Sequence, residues 1–202
     1  MSIRAVIFDL DGTITEPYFD FDAIREEIGL PRDSGPILEA MLEMSDTRHR
    51  LAEAILHRHE RLALEQSRLN PGARETLDAL RQAGIRIGVL TRNIRQNALE
   101  IARRHNLVFD AVVGREDGPV KPDAFGVRWL CEQFGIPPAE AMVVGDYLFD
   151  IQCAKAAGAT AVLLANQPKA AEFAKYADFS VDRIDQILGI IRDCKEHRAV
   201  CR

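Results

Sequence analysis

Four short segments of the chain end in polar side chains whose types complement one another. The first is Phe8-Asp9-Leu10-Asp11-Gly12-Thr13. In an extended chain residues i and i+2 point the same way, so Asp9 and Asp11 are expected to present two carboxylates to one side of a strand end. Gly12 lets the backbone turn sharply behind them. Neighbouring carboxylates repel unless a cation or a shared proton compensates. The second segment, Val89-Leu90-Thr91-Arg92-Asn93, puts a hydroxyl and an amide where a helix begins. An anion can accept hydrogen bonds there, although Thr and Asn are also routine helix caps. The third, Gly118-Pro119-Val120-Lys121-Pro122-Asp123, sets one lysine in a stiff loop, where a lysine is most often solvated surface. The fourth runs from Val144-Gly145-Asp146 to Asp150. If a helix starts there, Asp146 and Asp150 lie one turn apart on one face, with helix capping as the plainer role for Asp146. Taken together, carboxylates from two segments make a hard-oxygen site suited to Mg²⁺, and Thr91 and Lys121 suit a phosphoryl group.

These segments must be brought together by the elements that precede them. Ile3–Phe8, Ile85–Leu90, Ala111–Val113, Ala141–Val144 and Ala161–Leu164 are near-continuous apolar runs of strand length. Continuous rather than alternating apolarity predicts strands covered on both faces, as in a parallel sheet. Between them lie amphipathic stretches at Ala73–Ala83, Ile94–His105, Ala124–Phe134 and Leu148–Ala157, and a last one at Ile184–Lys195. Gly84, Gly135 and Gly158 stand where a helix C-cap wants glycine. Alternating strands and helices predict an α/β fold, a doubly wound Rossmann-like parallel sheet with right-handed crossovers. Chemistry in such sheets sits beyond the C-terminal ends of the strands.

One region breaks the alternation. Residues 16–70 carry no strand pattern and read as a small α-helical insertion after the first strand, leaving residues 1–15 and 71–202 for the core. A short helix opens at Phe21-Asp22-Ala23-Ile24 and closes at Gly29-Leu30-Pro31, and Pro36 starts another. Ser45-Asp46 is expected to cap a long helix with Leu51, Ile55, Leu62 and Leu69 along one face. Asn70-Pro71-Gly72 stops it. Arg48, His49, Arg50, His57, Arg58 and His59 make this helix locally basic. A solvated face is the simplest reading, and a contact to a substrate carboxylate or phosphate is the alternative. His57 and His59 are two apart and share no face, so they form no metal pair.

Composition narrows the classes of partner. Apolar residues make up 47% and charged residues 28%, which excludes a disordered chain. With 31 acidic against 26 basic residues the formal charge is −5, so neither nucleic acid nor an anionic membrane is an expected partner. No segment approaches the ~20 apolar residues that span a bilayer, and Ile3–Phe8 meets Asp9 too soon for a signal peptide. The four cysteines are scattered without a C-x-x-C pair. A reduced cytoplasmic protein of open oligomeric state is expected. Trp129 reads as core or edge packing, and the polar tail 192–202 is expected to fray.

Asp9-Leu10-Asp11-Gly12-Thr13, Leu90-Thr91, Lys121-Pro122 and Gly145-Asp146 with Asp150 resemble the four ordered motifs of the haloacid dehalogenase superfamily. The resemblance covers essentially the whole core, and the insertion sits where the phosphoglycolate-phosphatase-like branch carries its cap. It implies Mg²⁺-dependent hydrolysis of a small phosphorylated metabolite. Asp9 would be the nucleophile that forms an aspartyl-phosphate, and Asp11 the general acid and base. The metal would be held by Asp9, the backbone carbonyl of Asp11 and Asp146, with Asp150 ligating directly or orienting waters. Thr91 and Lys121 would stabilise phosphoryl charge, with Asn93 and Arg92 as further substrate contacts. Displacing halide needs neither a general acid nor Mg²⁺, so Asp11 favours a phosphatase over a dehalogenase. A phosphomutase, or a non-catalytic relative that binds a phosphorylated ligand, are the alternatives. Asp123-Ala124 replaces a second proline common after the Lys-Pro pair, and Tyr147 replaces a small residue. The insertion is shorter than that branch's cap, which predicts an open site tolerant of larger phosphoesters.

Overall fold

Burial on both faces explains the unbroken apolarity of the strand runs. In the computed structural model of the protein, which describes the backbone of residues 2–200 and side chains as far as residue 194, every residue of β1 (Ala5–Phe8) is fully buried. Ala5 and Ile7 join one core cluster with Leu90, Val127, Leu130 and Ile151, while Val6 and Phe8 point to the opposite face. The other strands are β2 (Arg86–Leu90), β3 (Ala111–Val113), β4 (Ala141–Gly145), β5 (Thr160–Leu164) and β6 (Phe179–Val181). All pairings are parallel, in the order β3-β2-β1-β4-β5-β6. The chain winds outward from β1 in one direction and then crosses to β4 and winds in the other. The strand order therefore reverses between β1 and β4, which is where an open parallel sheet opens a crevice at its C-terminal edge.

The helical unit is α1 (Phe21–Ile28), α2 (Ile37–Leu42) and α3 (Asp46–Gln66). Asp20 caps α1 by accepting from the amides of Asp22 and Ala23, and Gly29 ends it in the left-handed conformation. Ile24, Ile28, Ile37, Met41, Ala52 and Ile55 form a separate small core. The buried face of α3 differs from the expected one. Ala52, Ile55, Leu56 and Ala63 are buried, whereas Leu51 is 63% exposed and Leu62 is 37% exposed. Consecutive helical residues sit roughly 100° apart, so reading the stripe one position early rotates it off the core. Leu69 lies beyond the helix altogether. Backbone contacts divide the chain into Tyr18–Ser67 and the residues flanking it. Glu16 and Arg68 pair through their backbones and Thr15 bridges Leu69, so residues 16, 17 and 68–70 go with the sheet rather than with the insertion.

The core helices are α4 (Ala73–Gln82), α5 (Arg95–Arg104), α6 (Phe125–Gln133) and α7 (Leu148–Ala157), followed by a short α8 (Ala170–Phe173) and by α9 (Ile187–Val200). Gly84, Gly135 and Gly158 take positive φ at or just past helix ends, as expected. Trp129 packs against the core cluster. The polar tail expected to fray is helical as far as Val200; Cys201 and Arg202 lie outside the described residues. Among the described residues no helix is long and apolar enough to cross a membrane.

Cys131 and Cys153 are buried free thiols. Burial pushes Cys131 up to about 11, and burial with the nearby Asp150 carboxylate pushes Cys153 up to about 12. Alkylation of the folded protein with iodoacetamide at pH 8, mapped by mass spectrometry, is expected to leave both unmodified; labelling of either at the rate of a free thiol would contradict this placement.

Candidate active site

β1 ends at Phe8, but sheet bonding continues one residue further, where the Asp9 amide donates to the Val144 carbonyl at 2.9 Å. The chain then wraps on the Leu10 carbonyl, which accepts from the amides of Thr13, Ile14 and Thr15 and from the Thr15 hydroxyl. The strand period of two thus does not carry through to Asp11. Its carboxylate accepts instead from Asn93 Nδ2 at 3.2 Å. Gly12 has φ +93°, and a Cβ there would stand 2.6 Å from Asp146 Oδ2. Both the backbone and the approach of Asp146 demand glycine.

Lys121 is not the solvated lysine of the simplest reading. It is buried, with Nζ 2.5 Å from Asp9 Oδ1 and 2.6 Å from Asp150 Oδ1. Asp150 also accepts the Tyr147 amide at 3.1 Å through its other oxygen, which closes the first turn of α7. Asp146 precedes the cap residue Tyr147 and is not itself the cap. It accepts from Thr13 Oγ1 at 3.2 Å. Carboxylate oxygens of Asp9, Asp146 and Asp150 lie within 4.8 Å of one another, and the Asp11 carboxylate is not one of this set. At Gly145 a Cβ would fall 2.1 Å from Asp150 Cγ, so this strand end too must be glycine.

Lys121 sits among the buried carboxylates of Asp9 and Asp150, with the half-buried Asp146 beside them, and the imbalance shows in the pKa values of Asp9 and Asp146. Burial opposes charge on Lys121, but Asp150 and Asp9 outweigh it and hold its pKa above the ordinary value. Burial pushes Asp9 well up; Lys121 pulls against this, and the charges of Asp150 and Asp146 add to it. Asp146 is raised to about 7 by burial and by Asp150. An all-oxygen donor set with surplus negative charge in a buried crevice fits a hard divalent cation. Asp9, Asp146 and Asp150 are the carboxylates able to hold it.

The Thr91 and Lys121 loops are joined to each other. Thr91 Oγ1 accepts the Asn93 amide at 2.9 Å, and Asn93 Oδ1 accepts from Asn97 Nδ2 and from the Ile94 amide. The Arg92 guanidinium donates to the Lys121 carbonyl and lies 4.8 Å over the Phe149 ring. In return Arg115 donates to the Arg92 carbonyl, and Arg95 pairs with Asp117. Arg92 and Asn93, expected as substrate contacts, are thus engaged with Lys121 and Asp11. Of the basic residues on α3, Arg58 and His59 pair with Glu27 inside the helical unit.

Residues the sequence reading passed over complete the site. Asn70, read only as a helix stop, donates to the carbonyls of Gly12, Thr13 and Thr15 at 2.9, 2.8 and 3.0 Å. After β5, Asn166 donates to the Gly12 carbonyl at 2.7 Å and Gln167 donates to the Asp146 carbonyl. The Asn-Pro-Gly turn was the signal for Asn70; nothing in the local pattern marks Asn166 or Gln167. Removing the shared donor strands buried carbonyls, so Asn70→Ala is expected to lower stability by about 1–3 kcal/mol. Urea unfolding measures it, and a midpoint equal to the parent's would show that the loop does not depend on this amide.

A family model of haloacid dehalogenase-like hydrolases matches residues 18–164. A haloacid dehalogenase-like hydrolase domain-containing protein of Arabidopsis thaliana is 34% identical over 80% of this chain and 71% of its own. A phosphoglycolate phosphatase of Nitrosospira multiformis is 31% identical over 78% of this chain and 81% of its own. The crystal structure of a hydrolase from Pseudomonas syringae superposes with a TM-score of 0.79 at 20% identity, covering 94% of this chain and 98% of that one. The four polar strand ends, their convergence at the β1–β4 crevice and these likenesses agree: the chain belongs to the haloacid dehalogenase-like hydrolases, in the branch that resembles phosphoglycolate phosphatases.

Proposed function

We propose that the protein is a Mg²⁺-dependent phosphatase that hydrolyses a small phosphomonoester through a phosphorylated aspartate. One observation carries this: Lys121 is buried between Asp9 and Asp150, with Asp146 closing a cluster of oxygens around the mouth of the sheet. Asp9 attacks phosphorus and the ester oxygen leaves, so that one hard displacement becomes two easier ones. Asp11 protonates the departing alkoxide and then takes a proton from the attacking water, with Asn93 holding its carboxylate in place. Lys121 neutralises charge on the phosphoryl oxygens. Thr91, whose oxygen already accepts the Asn93 amide, keeps its hydroxyl hydrogen to donate to them. Mg²⁺, when bound by Asp9, Asp146, Asp150 and the Asp11 carbonyl, supplies positive charge for the phosphoryl oxygens as the reaction proceeds.

The helical unit, residues 18–67, is the cap insertion of this branch, and the substrate is a small phosphorylated metabolite in a reduced, cytoplasmic setting. The phosphoglycolate phosphatase relative supports that substrate class. A panel of phosphoesters, assayed with Mg²⁺ and with EDTA, is expected to show metal-dependent release of phosphate; transfer between two sugar positions without release would point to a mutase. Asp9→Asn is expected to lower turnover of p-nitrophenyl phosphate by about 10³-fold or more. Undiminished turnover would remove Asp9 from the nucleophile's role.

Arg92 acts on Lys121 through the Lys121 carbonyl. Arg92→Ala is therefore expected to lower kcat roughly 10- to 100-fold, because small displacements of a charge-stabilising group are costly. A change confined to KM would instead mark Arg92 as a direct substrate contact.

A further inference from the structure

The loop after β5 has no place in the four motifs, yet it reaches Asp146 and the Gly12 turn. Gln167 Nε2 donates to the backbone carbonyl of Asp146 and lies 3.4 Å from its Oδ2. The neighbouring Asn166 donates from Nδ2 to the Gly12 carbonyl at 2.7 Å. Asn166 Oδ1 is shielded from solvent and is one of two buried side-chain atoms without a hydrogen-bond partner among the described residues. A buried acceptor of this kind normally has a partner.

We propose that Asn166 and Gln167 are positioning residues that set the affinity of the carboxylate cluster for its divalent cation; this rests on the metal-dependent reading above. Asp146 is held by Gln167 and by the Thr13 hydroxyl, and the Gly12 turn that Asp146 packs against is held by Asn166 and Asn70. All four are neutral donors. They fix geometry without placing positive charge beside a cation, whereas the one ammonium nearby, Lys121, is spent on Asp9 and Asp150. Charge neutralisation and ligand orientation thereby fall on different members of the cluster. Partners of this kind beyond the ligands typically change metal affinity 10- to 100-fold.

Calorimetric titration of the metal-free protein with Mg²⁺ tests this, beside melting of the same metal-free samples. Gln167→Met keeps the side chain's length and removes its donor; Asn166→Ala removes donor and acceptor. Each is expected to weaken Mg²⁺ binding by about tenfold while leaving the metal-free melting temperature within about 2 °C of the parent's. Parental affinity in both variants would overturn the proposal, and so would a loss of affinity that appears only together with a large fall in melting temperature. If the unsubstituted protein binds no Mg²⁺, the metal-dependent reading itself fails and takes this one with it. Failure in the variants alone leaves that reading standing.

Discussion

The position of a single ammonium organises this site. Lys121 Nζ touches two carboxylates that arrive from different strands, Asp9 after β1 and Asp150 on the first turn of α7. Burying carboxylates is costly unless they are paired, and the Lys121 ammonium supplies that pairing to both. Lys121 in turn is kept charged by those acids in a place where burial alone would favour its neutral form. Breaking one member of such a buried set costs about 3–5 kcal/mol, far more than the net worth of an exposed pair. The loops that carry Lys121 and Asp9 are thus bound to each other by electrostatics before any ligand arrives.

A charge arrangement this tight needs a backbone that does not yield. Two strand ends approach so closely that no Cβ fits at Gly12 or Gly145, since Asp146 and Asp150 occupy that space. The turn after Asp9 is held by its own Leu10 carbonyl on one side and by the Asn70 amide on the other. The loops after β2 and β3 are cross-linked by Arg92, Arg115 and the Arg95–Asp117 pair. Asp9, Thr91 and Lys121 sit on short connections beyond the strands, and those connections are tied to their neighbours rather than left to solvent. This is how loop residues gain the precision that chemistry requires.

Much of this was legible in the order of residues, for identifiable reasons. Strands buried on both faces leave continuous apolar runs, so β1 to β5 stood out, as did α7 between an acidic start and Gly158. β6 did not, because it is a three-residue edge strand whose Phe179 and Ser180 are exposed and carry no such run. On α3 the expected stripe shares only Ile55 with the buried face, since two alanines help line that face and alanine is a weak hydrophobic marker. At the site, Asp9, Thr91, Lys121, Asp146 and Asp150 were visible as chemically unusual groups at predicted strand ends. Asn70, Asn166 and Gln167 were not. Their work is to satisfy backbone carbonyls far away in sequence, and neutral amides in turns look the same whether they meet water or a buried carbonyl.

The same division explains the charge of the chain. Setting aside Asp9, Asp11, Asp146 and Asp150 leaves 27 acids against 26 bases, so those four acids match most of the formal charge of −5. Three of those four meet within 4.8 Å, and the fourth is held one loop away by Asn93. Among the described residues Lys121 is the one lysine paired within the cluster, and it meets Asp9 and Asp150, while Asp146 is met by a hydroxyl and an amide. A protein that merely needed stable packing gains nothing from leaving these acids short of a second cation. Keeping them unbalanced retains a standing demand for positive charge at the mouth of the sheet, which a divalent cation can satisfy, and the bound cation can in turn attract an anionic substrate.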